Sequence, residues 1–519
     1  MKKELPLDTI SIDKKSKTPI YQQLYNTIKK GIISNNYPAN NRLPSSRQLS
    51  KELDISRSTV TTAYDQLIAE GFLISKKGSG TSIAEALTHT LKPASKPSKA
   101  NKINSVIDLS SQLSNMAKTY NNLETQQRIR TNYKQTTLMP GIPSRHNFPN
   151  AKWGKLLGKY ARQSLGTDAG YDYPCGIPQL KKAIANYIRL ARGINTEEKD
   201  ILIVNSSQTA LDILCRLILN KGDIAGIEEP GYRGAYLAMK NSEAVIQSIA
   251  VDNEGMVIPS TAPSTILNAI STTNTPTIEK APKLIYTSPS HQYPTGVTMS
   301  YSRRIALLEY AHQYKSWILE DDYDSEFRYR GKPLPSLQGL DQNQRVIYLG
   351  TFSKSLSPSM RVAYIVAPPA LSPIIKTFLG DIGTGINIAV QYALAEFIEA
   401  GHYSRHIRKT RKEYAEKQQI LSTAIAEYLH DKVDFFQSNA GLQATLYFKE
   451  DSSKKTIIDR VFVKEAEKEG LYLRPLSSNY RTALEKQGLI LGFAACDKET
   501  INSAIQKLAQ LIENSFSNI

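Results

Sequence analysis

Apolar residues recur every three or four positions in three short stretches near the start of the chain. The first stretch runs from Ile20 to Ile28, the second carries Leu49 and Leu53, and the third begins at about Arg57. Such spacing gathers the apolar side chains on one face of a helix. The pattern therefore predicts three short helices separated by brief polar breaks.

The pattern changes after the third predicted helix. Residues 71–75 and 81–83 are typical of β-strands, and the glycine-containing segment between them is typical of a turn. Three helices followed by a two-stranded wing predict a winged helix-turn-helix, a fold that places one helix in the major groove of DNA. We place this domain at residues 1–83.

Helical segments alternate with short apolar runs from about residue 139 onward. The apolar runs are Ile201–Val204, Leu284–Tyr286, Trp317–Leu319, Val346–Leu349 and Val362–Val366. This alternation is typical of an α/β domain with a mostly parallel sheet. We place this second, larger domain at residues 136–519.

Two polar segments stand apart from these patterns. Residues 84–135 include a stretch rich in Pro, Ser and Lys, which predicts a flexible basic linker. Residues 260–280 are rich in Thr, Ser, Pro and Asn, which predicts a surface insertion in the second domain. More than one domain is also what a chain of 519 residues requires.

The charge of the chain indicates a polyanionic partner. The formal net charge is +17, and residues 1–82 carry 13 Lys and Arg against 7 Asp and Glu. An excess of positive charge on a small domain favours binding to nucleic acid. Lysine-rich surfaces are common, however, so the charge supports this prediction without carrying it.

The cysteines and the apolar segments indicate where in the cell the protein is located. Cys175, Cys215 and Cys496 lie far apart and form no CxxC pair, which argues against a disulfide framework or a metal site. The N-terminus lacks the apolar core of a secretory signal, and no run of roughly 18 apolar residues is present. These features predict a cytoplasmic protein that does not enter a membrane.

Lys354 is the most informative residue for chemistry. Ser353 and Ser355 flank it, Arg361 follows it, and an acidic and aromatic run, 320–327, precedes it. A lysine amine forms a Schiff base with an aldehyde, while hydroxyls and a guanidinium hold a phosphate. With an aspartate upstream to pair with a pyridinium nitrogen, the pattern predicts a site for pyridoxal phosphate. The alternative is a surface lysine in a polar loop.

Polar residues at the start of the third predicted helix are candidates for reading DNA. Helix residues at this position reach base edges and phosphates, and a wing straddles the minor groove. The candidates are Arg47 at the start of the second helix, Ser56, Arg57, Ser58 and Thr59 at the start of the third, and Lys76, Lys77 and Gly78 on the wing. Alternatively, the serines serve only as helix caps.

Both domains resemble known families. The segment Leu43–Tyr64, together with Leu67 and the Glu70-Gly71-Phe72 that follows, resembles the GntR superfamily of bacterial regulators over roughly residues 19–83. Residues 139–515 resemble fold-type I aminotransferases. The whole chain is thus similar to the MocR group of regulators, which includes GABA-responsive members. Within the first domain, the family pattern favours Arg47, Arg57 and Ser58 as DNA contacts.

The resemblance implies a role for each residue of the cofactor site. Lys354 would form the Schiff base, Asp321 would pair with the pyridine nitrogen, and Tyr323 would reach the ring hydroxyl. Tyr232 would stack on the ring. The phosphate would be held by Ser207, Gln208, Thr351, Ser353 and Arg361. The loops 170–176 and 288–296 match the family's Tyr-x-x-Pro-x-Gly and His-Gln-x-Pro-x-Gly patterns.

Three positions depart from the aminotransferase pattern. Tyr293 stands where aminotransferases usually carry an asparagine, and Ser206 stands where the phosphate turn usually has a glycine. Ile490 occupies the position of an arginine that grips the substrate carboxylate, and an apolar side chain makes no such pair. Arg474 is the best remaining arginine for the carboxylate of an effector, unless it is only a surface residue at a strand end. Arg233 is a weaker candidate.

These features favour a sensor over a catalyst. We expect a DNA-binding transcriptional regulator whose aminotransferase-like domain binds pyridoxal phosphate through Lys354 and senses the cofactor, an amine or an amino acid. A homodimer would address two half-sites on double-stranded DNA. We expect no net turnover, with transaminase half-reactions left open. The alternative is a pyridoxal phosphate-dependent aminotransferase with an accessory DNA-binding domain.

Overall fold

The protein was analysed as a computed structural model. It describes residues 10, 12–16, 18–34, 36–76, 80–84, 114, 116–117, 137–167, 172–259, 280–331, 334–436, 438–450, 457–482 and 486–517. Most of the predicted linker and nearly all of the predicted insertion at 260–280 lie outside these residues. The chain divides into two compact units, Met1–Gln112 and Leu113–Ile519.

The first unit has three helices and a two-stranded sheet. Its elements are α1 (Ile20–Ile33), α2 (Ser46–Glu52), α3 (Arg57–Ala69), β1 (Leu73–Lys76) and β2 (Gly80–Ile83). One side chain from each helix, Leu24, Leu49 and Val60, is fully buried, because the apolar faces of the helices meet in one core. The strands pair antiparallel as a wing. The winged helix-turn-helix prediction is confirmed.

Serine hydroxyls cap the second and third helices of this unit. The Ser45 hydroxyl accepts a hydrogen bond from the Gln48 backbone N–H at 3.2 Å, and the Ser56 hydroxyl accepts one from Thr59 at 3.1 Å. Both serines have extended backbone conformations typical of N-cap residues. The caps fix where α3 begins, and therefore which residues form its exposed first turn.

The second unit is a mixed α/β domain. Its helices are α4 (Asn150–Thr167), α5 (Pro178–Arg192), α6 (Ser207–Ile218), α7 (Arg233–Asn241), α8 (Tyr301–Gln313), α9 (Leu337–Leu340), α10 (Ser372–Asp381), α11 (Ile388–Glu399), α12 (His402–Tyr428), α13 (Asp459–Lys468) and α14 (Lys498–Ser517). No helix within the described ranges combines the length and the apolar character needed to cross a bilayer.

Eight of the strands form one large sheet. They are β3 (Ile201–Val204), β4 (Ile224–Glu229), β5 (Val245–Asp252), β6 (Gly255–Met256), β7 (Leu284–Thr287), β8 (Trp317–Asp322), β9 (Val346–Thr351) and β10 (Ala363–Val366). The order is β3-β10-β9-β8-β7-β4-β5-β6. Strands β9 to β5 of this order are parallel, whereas β10 runs antiparallel between β3 and β9, and β6 runs antiparallel to β5. The mostly parallel sheet is confirmed.

The remaining strands form a smaller antiparallel sheet. They are β11 (Val433–Phe435), β12 (Gln443–Phe448), β13 (Arg474–Pro475) and β14 (Gly488–Gly492), in the order β11-β12-β14-β13. Thr445 lies opposite Ile490, which in turn lies opposite Arg474. Residues opposite each other in a sheet point to the same face. One face of the small sheet therefore carries these three side chains in a row.

Candidate functional site

The candidate cofactor residues lie at one edge of the large sheet. Val204 is opposite Ala363, and Ala363 is opposite Thr351, so β3 and β9 end, and β10 begins, at the same level. Asp322, at the end of β8, is opposite Gly350. The carboxyl ends of parallel strands are where ligands bind in open α/β sheets. The connections after these strand ends carry the predicted cofactor residues.

Lys354 follows β9 and turns its amine into the protein. The amine donates a hydrogen bond to the Gly141 carbonyl at 2.7 Å. Burial lowers the pKa of the Lys354 amine, while the carboxylates of Asp324 and Asp321 raise it. A lysine whose pKa is lowered by burial is a better nucleophile toward an aldehyde. Lys354 is partly buried, and its amine is engaged by the Gly141 carbonyl.

Asp321 on β8 retains one oxygen without a partner. Its Oδ2 accepts a hydrogen bond from the Tyr286 hydroxyl at 2.7 Å, while its buried Oδ1 has no partner among the described residues. Burial raises the pKa of Asp321 to about 7. A buried acceptor without a donor is unfavourable. A protonated pyridine nitrogen would supply both the missing donor and the compensating charge, so this carboxylate fits pyridoxal phosphate.

The start of α6 fits a phosphate group. The Ser206 hydroxyl caps this helix by accepting from the Thr209 N–H at 3.1 Å. The N–H groups of Ser207 and Gln208 have no acceptor within the helix, because first-turn donors precede any such partner. Serine in place of the usual glycine is therefore compatible with the turn.

The other predicted phosphate residues line the same strand ends. The Ser353 N–H donates to the Thr351 hydroxyl at 3.1 Å. Arg361 is exposed and has a left-handed backbone, and its guanidinium has no recorded partner within the described chain. The side chain of Gln208 is already engaged, since it donates to the Gly234 carbonyl at 3.0 Å and accepts from the Tyr232 hydroxyl at 3.3 Å. The side chain of Gln208 therefore helps to position Tyr232.

Four tyrosines, Tyr232, Tyr286, Tyr293 and Tyr323, form a cluster of rings at the candidate site. The rings of Tyr232 and Tyr286 are nearly parallel, with centroids 6.4 Å apart. Tyr293 meets Tyr232 edge-on at 5.9 Å and Tyr323 edge-on at 6.4 Å. Tyr293, which replaces the usual asparagine, thus lies between the two tyrosines predicted to contact the cofactor.

His291 and Asp324 form a buried pair that the sequence did not single out. His291 Nδ1 lies 2.9 Å from Asp324 Oδ2, and the Tyr323 hydroxyl donates to the His291 carbonyl at 2.9 Å. His291 Nε2 and Asp324 Oδ1 are buried without a partner among the described residues. This pair fixes Tyr323 and places a carboxylate near Lys354. The matched loop 288–296 contained the histidine, but no local signal linked it to Asp324.

Glu228 is a second residue that the sequence did not single out. Its carboxylate accepts hydrogen bonds from the hydroxyl of Thr287, from the backbone and hydroxyl of Ser288, and from the Gln292 amide, at 2.6 to 3.1 Å. The side chain is fully buried, and burial raises the pKa of Glu228. An acidic residue inside an apolar strand was the available signal. Glu228 joins the end of β4 to the loop that carries His291 and Tyr293.

Arg474 is placed to serve the same space. It lies opposite Ile490 on the small sheet, so its side chain shares the face from which the usual arginine is missing. Burial raises the pKa of the Tyr293 hydroxyl, and the positive charge of Arg474 lowers it. The guanidinium therefore lies near a ring at the candidate site. Arg233 is half-buried at the start of α7, with no recorded link to the same rings.

The candidate DNA-binding residues of the first unit are mostly exposed. Arg47, Arg57, Ser58 and Lys76 are exposed, and the Arg57 Nε donates to the Ser46 hydroxyl at 3.4 Å. Ser56 and Thr59 contact each other through the helix cap. Lys77 and Gly78 lie outside the described residues.

Two families match the chain. Bacterial regulatory proteins of the gntR family match residues 20–83, and aminotransferase class I and II matches residues 146–508. The first match covers the helices and the wing of the first unit. The second covers the large sheet, the small sheet and every predicted cofactor residue.

Two regulators match nearly the whole chain, and a solved aminotransferase matches most of it. The chain is 36% identical to the "Probable rhizopine catabolism regulatory protein MocR" of Rhizobium meliloti, over 96% of this chain and 94% of that protein. It is 27% identical to the pyridoxine biosynthesis transcriptional regulator PdxR of Corynebacterium glutamicum, over 95% of each. The kynurenine aminotransferase of Pyrococcus horikoshii, solved in complex with PMP, matches with a TM-score of 0.65 at 27% identity, over 79% of this chain and 98% of that one.

Proposed function

Because the chain belongs to the MocR type of transcriptional regulators, we propose that it binds pyridoxal phosphate through Lys354. Regulators of this type join a gntR-family DNA-binding domain to an aminotransferase class I and II domain. We propose further that the affinity for DNA changes when an amine or amino acid reaches the cofactor. The unpartnered Oδ1 of Asp321 is the observation that carries this proposal. A buried carboxylate with one free oxygen, close enough to Lys354 to raise the pKa of its amine, is suited to a cationic donor from a ligand.

Each part of the cofactor has a matching group at the strand ends. Asp321 would hold the pyridine nitrogen, Tyr232 the face of the ring, and Tyr323 the ring hydroxyl. The N-terminus of α6, with Thr351, Ser353 and Arg361, would hold the phosphate. When bound, pyridoxal phosphate supplies an aldehyde carbon that reacts with primary amines. The protein's contribution is to orient that carbon toward Lys354 and exclude water from it.

Arg474 is the proposed contact for the carboxylate of an effector. Ile490 is fully buried and apolar, and Thr445, in the same row, already donates to the Pro294 carbonyl. Arg474 is therefore the only residue of this row with a free charged donor among the described residues. Arg474 lies on β13, whereas the usual arginine would lie on β14. An effector held by Arg474 would therefore be oriented differently toward the cofactor, which favours binding over the precise positioning that transamination needs.

The DNA-binding arrangement follows from the family. Fold-type I domains are normally dimers, so two winged helices would address two half-sites of an operator in the cytoplasm. Arg47, Arg57 and Ser58 would contact DNA from the second and third helices, and Lys76 from the wing. An effector biases DNA binding only as far as it prefers one arrangement of the protein over another.

The experiment is a pair of titrations on the purified full-length protein. Pyridoxal phosphate should produce a visible absorbance band, and a panel of amines and amino acids should be screened for changes in both that band and the affinity for DNA upstream of its gene. A protein that takes up no cofactor on reconstitution would overturn the proposal.

Aminotransferase activity is the second candidate function, because Lys354, Asp321 and the start of α6 retain the aminotransferase pattern despite the departures at Tyr293 and Ser206. Steady-state transamination with common amino donors and keto acids tests it directly. Robust turnover combined with DNA affinity that ignores cofactor and amines would favour the enzyme.

A further inference from the structure

Gln443 carries a buried hydrogen-bond donor that nothing in the described chain uses. It begins β12, only 4% of its surface is exposed, and its Nε2 has no acceptor among the described residues. Buried side-chain amides are nearly always hydrogen-bonded, because an unmade bond leaves the cost of dehydration uncompensated. An unused donor of this kind is available to a ligand atom where it lies beside a candidate site.

The position of Gln443 is fixed by a close backbone crossing. Its cross-strand partner is Gly492, whose N–H donates to the Leu138 carbonyl at 2.7 Å. A Cβ at Gly492 would lie 1.9 Å from the Met139 carbonyl oxygen, so only glycine admits the segment 138–141 at this point. The small sheet and this segment are thus held against each other.

The same segment brings Gln443 next to Lys354. The Gly141 carbonyl accepts the hydrogen bond from the Lys354 amine. A Cβ at Gly141 would lie 2.9 Å from Lys354 Nζ and 3.8 Å from Gln443 Oε1. The carboxamide of Gln443 therefore lies close to the amine at which an effector would react.

Gln443 also shares a sheet face with Arg474. Gln443 and Thr445 are two residues apart on β12, so they point the same way, and Thr445 lies in one row with Ile490 and Arg474. The Thr445 hydroxyl donates to the Pro294 carbonyl at 2.5 Å, and Ile490 has no polar group. At the end of this face near Lys354, Gln443 offers a neutral donor, and Arg474 on the same face offers a charged one.

We propose that Gln443 is a specificity-determining residue that selects amines with a hydroxyl on the carbon next to the amine-bearing carbon. The inference rests on the proposed function, since it assumes that an amine reaches the cofactor at Lys354. The neutral carboxamide suits a neutral acceptor close to the amine, and Arg474 suits the carboxylate. The carboxylates of Asp321 and Asp324 both lie close enough to raise the pKa of the Lys354 amine. They would repel a carboxylate of the ligand placed beside Gln443, so a neutral hydroxyl fits this position better.

The test compares pairs of amines that differ by that one hydroxyl. The probes are 3-aminopropanoate against 3-amino-2-hydroxypropanoate, 4-aminobutanoate against 4-amino-3-hydroxybutanoate, and L-alanine against L-serine. Full-length protein loaded with pyridoxal phosphate is titrated with each, and its visible absorbance gives the apparent affinity. In at least one pair the hydroxylated member should bind about 3- to 10-fold more tightly, the range of one neutral hydrogen bond.

Gln443→Met keeps the length of the side chain and removes the donor. It should reduce the hydroxyl preference to about one while leaving the affinity for the plain member of the pair little changed. Thr445→Val is the matched control on the same strand and face. Its hydroxyl is already used by Pro294, so the preference should persist in that variant.

Three results would overturn the inference. Equal affinity of the wild-type protein for both members of every pair would overturn it, and this result needs no variant, so it holds even if Gln443→Met fails to fold. Equal weakening of both members in Gln443→Met would show that the glutamine only supports the segment 138–141. Loss of cofactor affinity in that variant would make it a cofactor contact. If no plain or hydroxylated amine changed absorbance or DNA affinity, the proposed sensing itself would fail.

Discussion

The two units of this protein present their functional groups in opposite ways. In the winged-helix unit, Arg47, Arg57 and Lys76 are exposed, where water satisfies their donors until a partner arrives. In the aminotransferase-like unit, Asp321 and Gln443 are buried, and each keeps one polar atom without a partner among the described residues. A buried unpaired group is costly in the absence of a ligand, whereas an exposed one is not. An unpaired buried atom therefore indicates a ligand site where it lies among other site residues, as at Asp321, while the exposed cations indicate one only together with the fold.

This difference implies that substitutions at the buried site have larger effects than those on the exposed surface. The largest expected effect is that of Lys354→Ala, which removes the only amine assigned to the cofactor. The visible absorbance of the loaded protein should be lost completely, as measured after reconstitution and gel filtration. Lys376→Ala, which removes a lysine from α10, serves as the control and should retain the band. A variant at position 354 that kept the band would mean that another lysine reacts.

Asp321→Asn should have the next largest effect on cofactor binding. Removing one partner of a buried ion pair costs about 3–5 kcal/mol, which weakens binding of the cofactor by roughly a hundred- to several thousand-fold. Equilibrium dialysis of the wild type and the variant checks this. An unchanged affinity would show that the pyridine nitrogen does not meet Asp321.

The same substitution should change the pH dependence of the cofactor-free protein. Burial raises the pKa of Asp321 to about 7, above the roughly 3.9 of an unfolded chain. Between these values the folded state binds more protons than the unfolded state, so stability falls as pH rises and remains lower above pH 7. The asparagine carries no such penalty. In thermal melts, the melting temperature of Asp321→Asn should rise relative to that of the wild type from pH 5 to pH 8. A constant difference would contradict the raised pKa of Asp321.

The sequence predicted this site unevenly, for a physical reason. Asp321, Tyr323 and Lys354 were found because they lie near one another along the chain, in strand ends and turns with a recognisable order. The pair of His291 with Asp324 and the neighbourhood of Gln443 and Lys354 depend on contacts between distant segments. The short apolar runs predicted the parallel strands β7, β8 and β9, whereas the run Val362–Val366 became the antiparallel β10, and β4 and β5 were not among the predicted runs.

The small antiparallel sheet was harder to predict than the parallel strands. Its strands are short, and β13 contains only Arg474 and Pro475. No hydrophobic period is visible over two residues, so the row that joins Arg474 to Ile490 could not be read from the sequence. Arg474 was a candidate only because no other arginine fitted the family pattern as well.

Arg474→Ala tests whether effector binding and cofactor binding use separate residues of the aminotransferase-like unit. We expect the absorbance change caused by a carboxylate-bearing amine to require about 10- to 100-fold more ligand, the equivalent of a lost charged hydrogen bond of about 1.5–3 kcal/mol. Binding of pyridoxal phosphate should be unaffected. Amines without a carboxylate provide the matched ligand control, and Arg233→Ala the matched protein control. Loss of the response to both kinds of amine would assign Arg474 to the cofactor or to folding.

Arg57→Ala should have the smallest effect, and it tests the exposed unit. Arg57 begins α3, and within the described residues its guanidinium makes one long hydrogen bond, to the Ser46 hydroxyl, so its removal should barely alter folding. The loss of one base or phosphate contact costs about 1–3 kcal/mol of operator affinity. Gel-shift or anisotropy titrations at moderate salt measure this, with Lys30→Ala on α1 as a charge-matched control. The cofactor band should be identical in all three proteins. If the Arg57 and Lys30 variants lost affinity equally, the effect would be one of net charge, and α3 would lose its assignment as the helix that reads DNA. A loss of operator affinity specific to Arg57→Ala, with an unchanged cofactor band, would identify the DNA-binding site of the winged-helix unit. For these exposed side chains, binding to DNA is the evidence of a site, whereas in the aminotransferase-like unit the unpaired buried atoms supply part of that evidence.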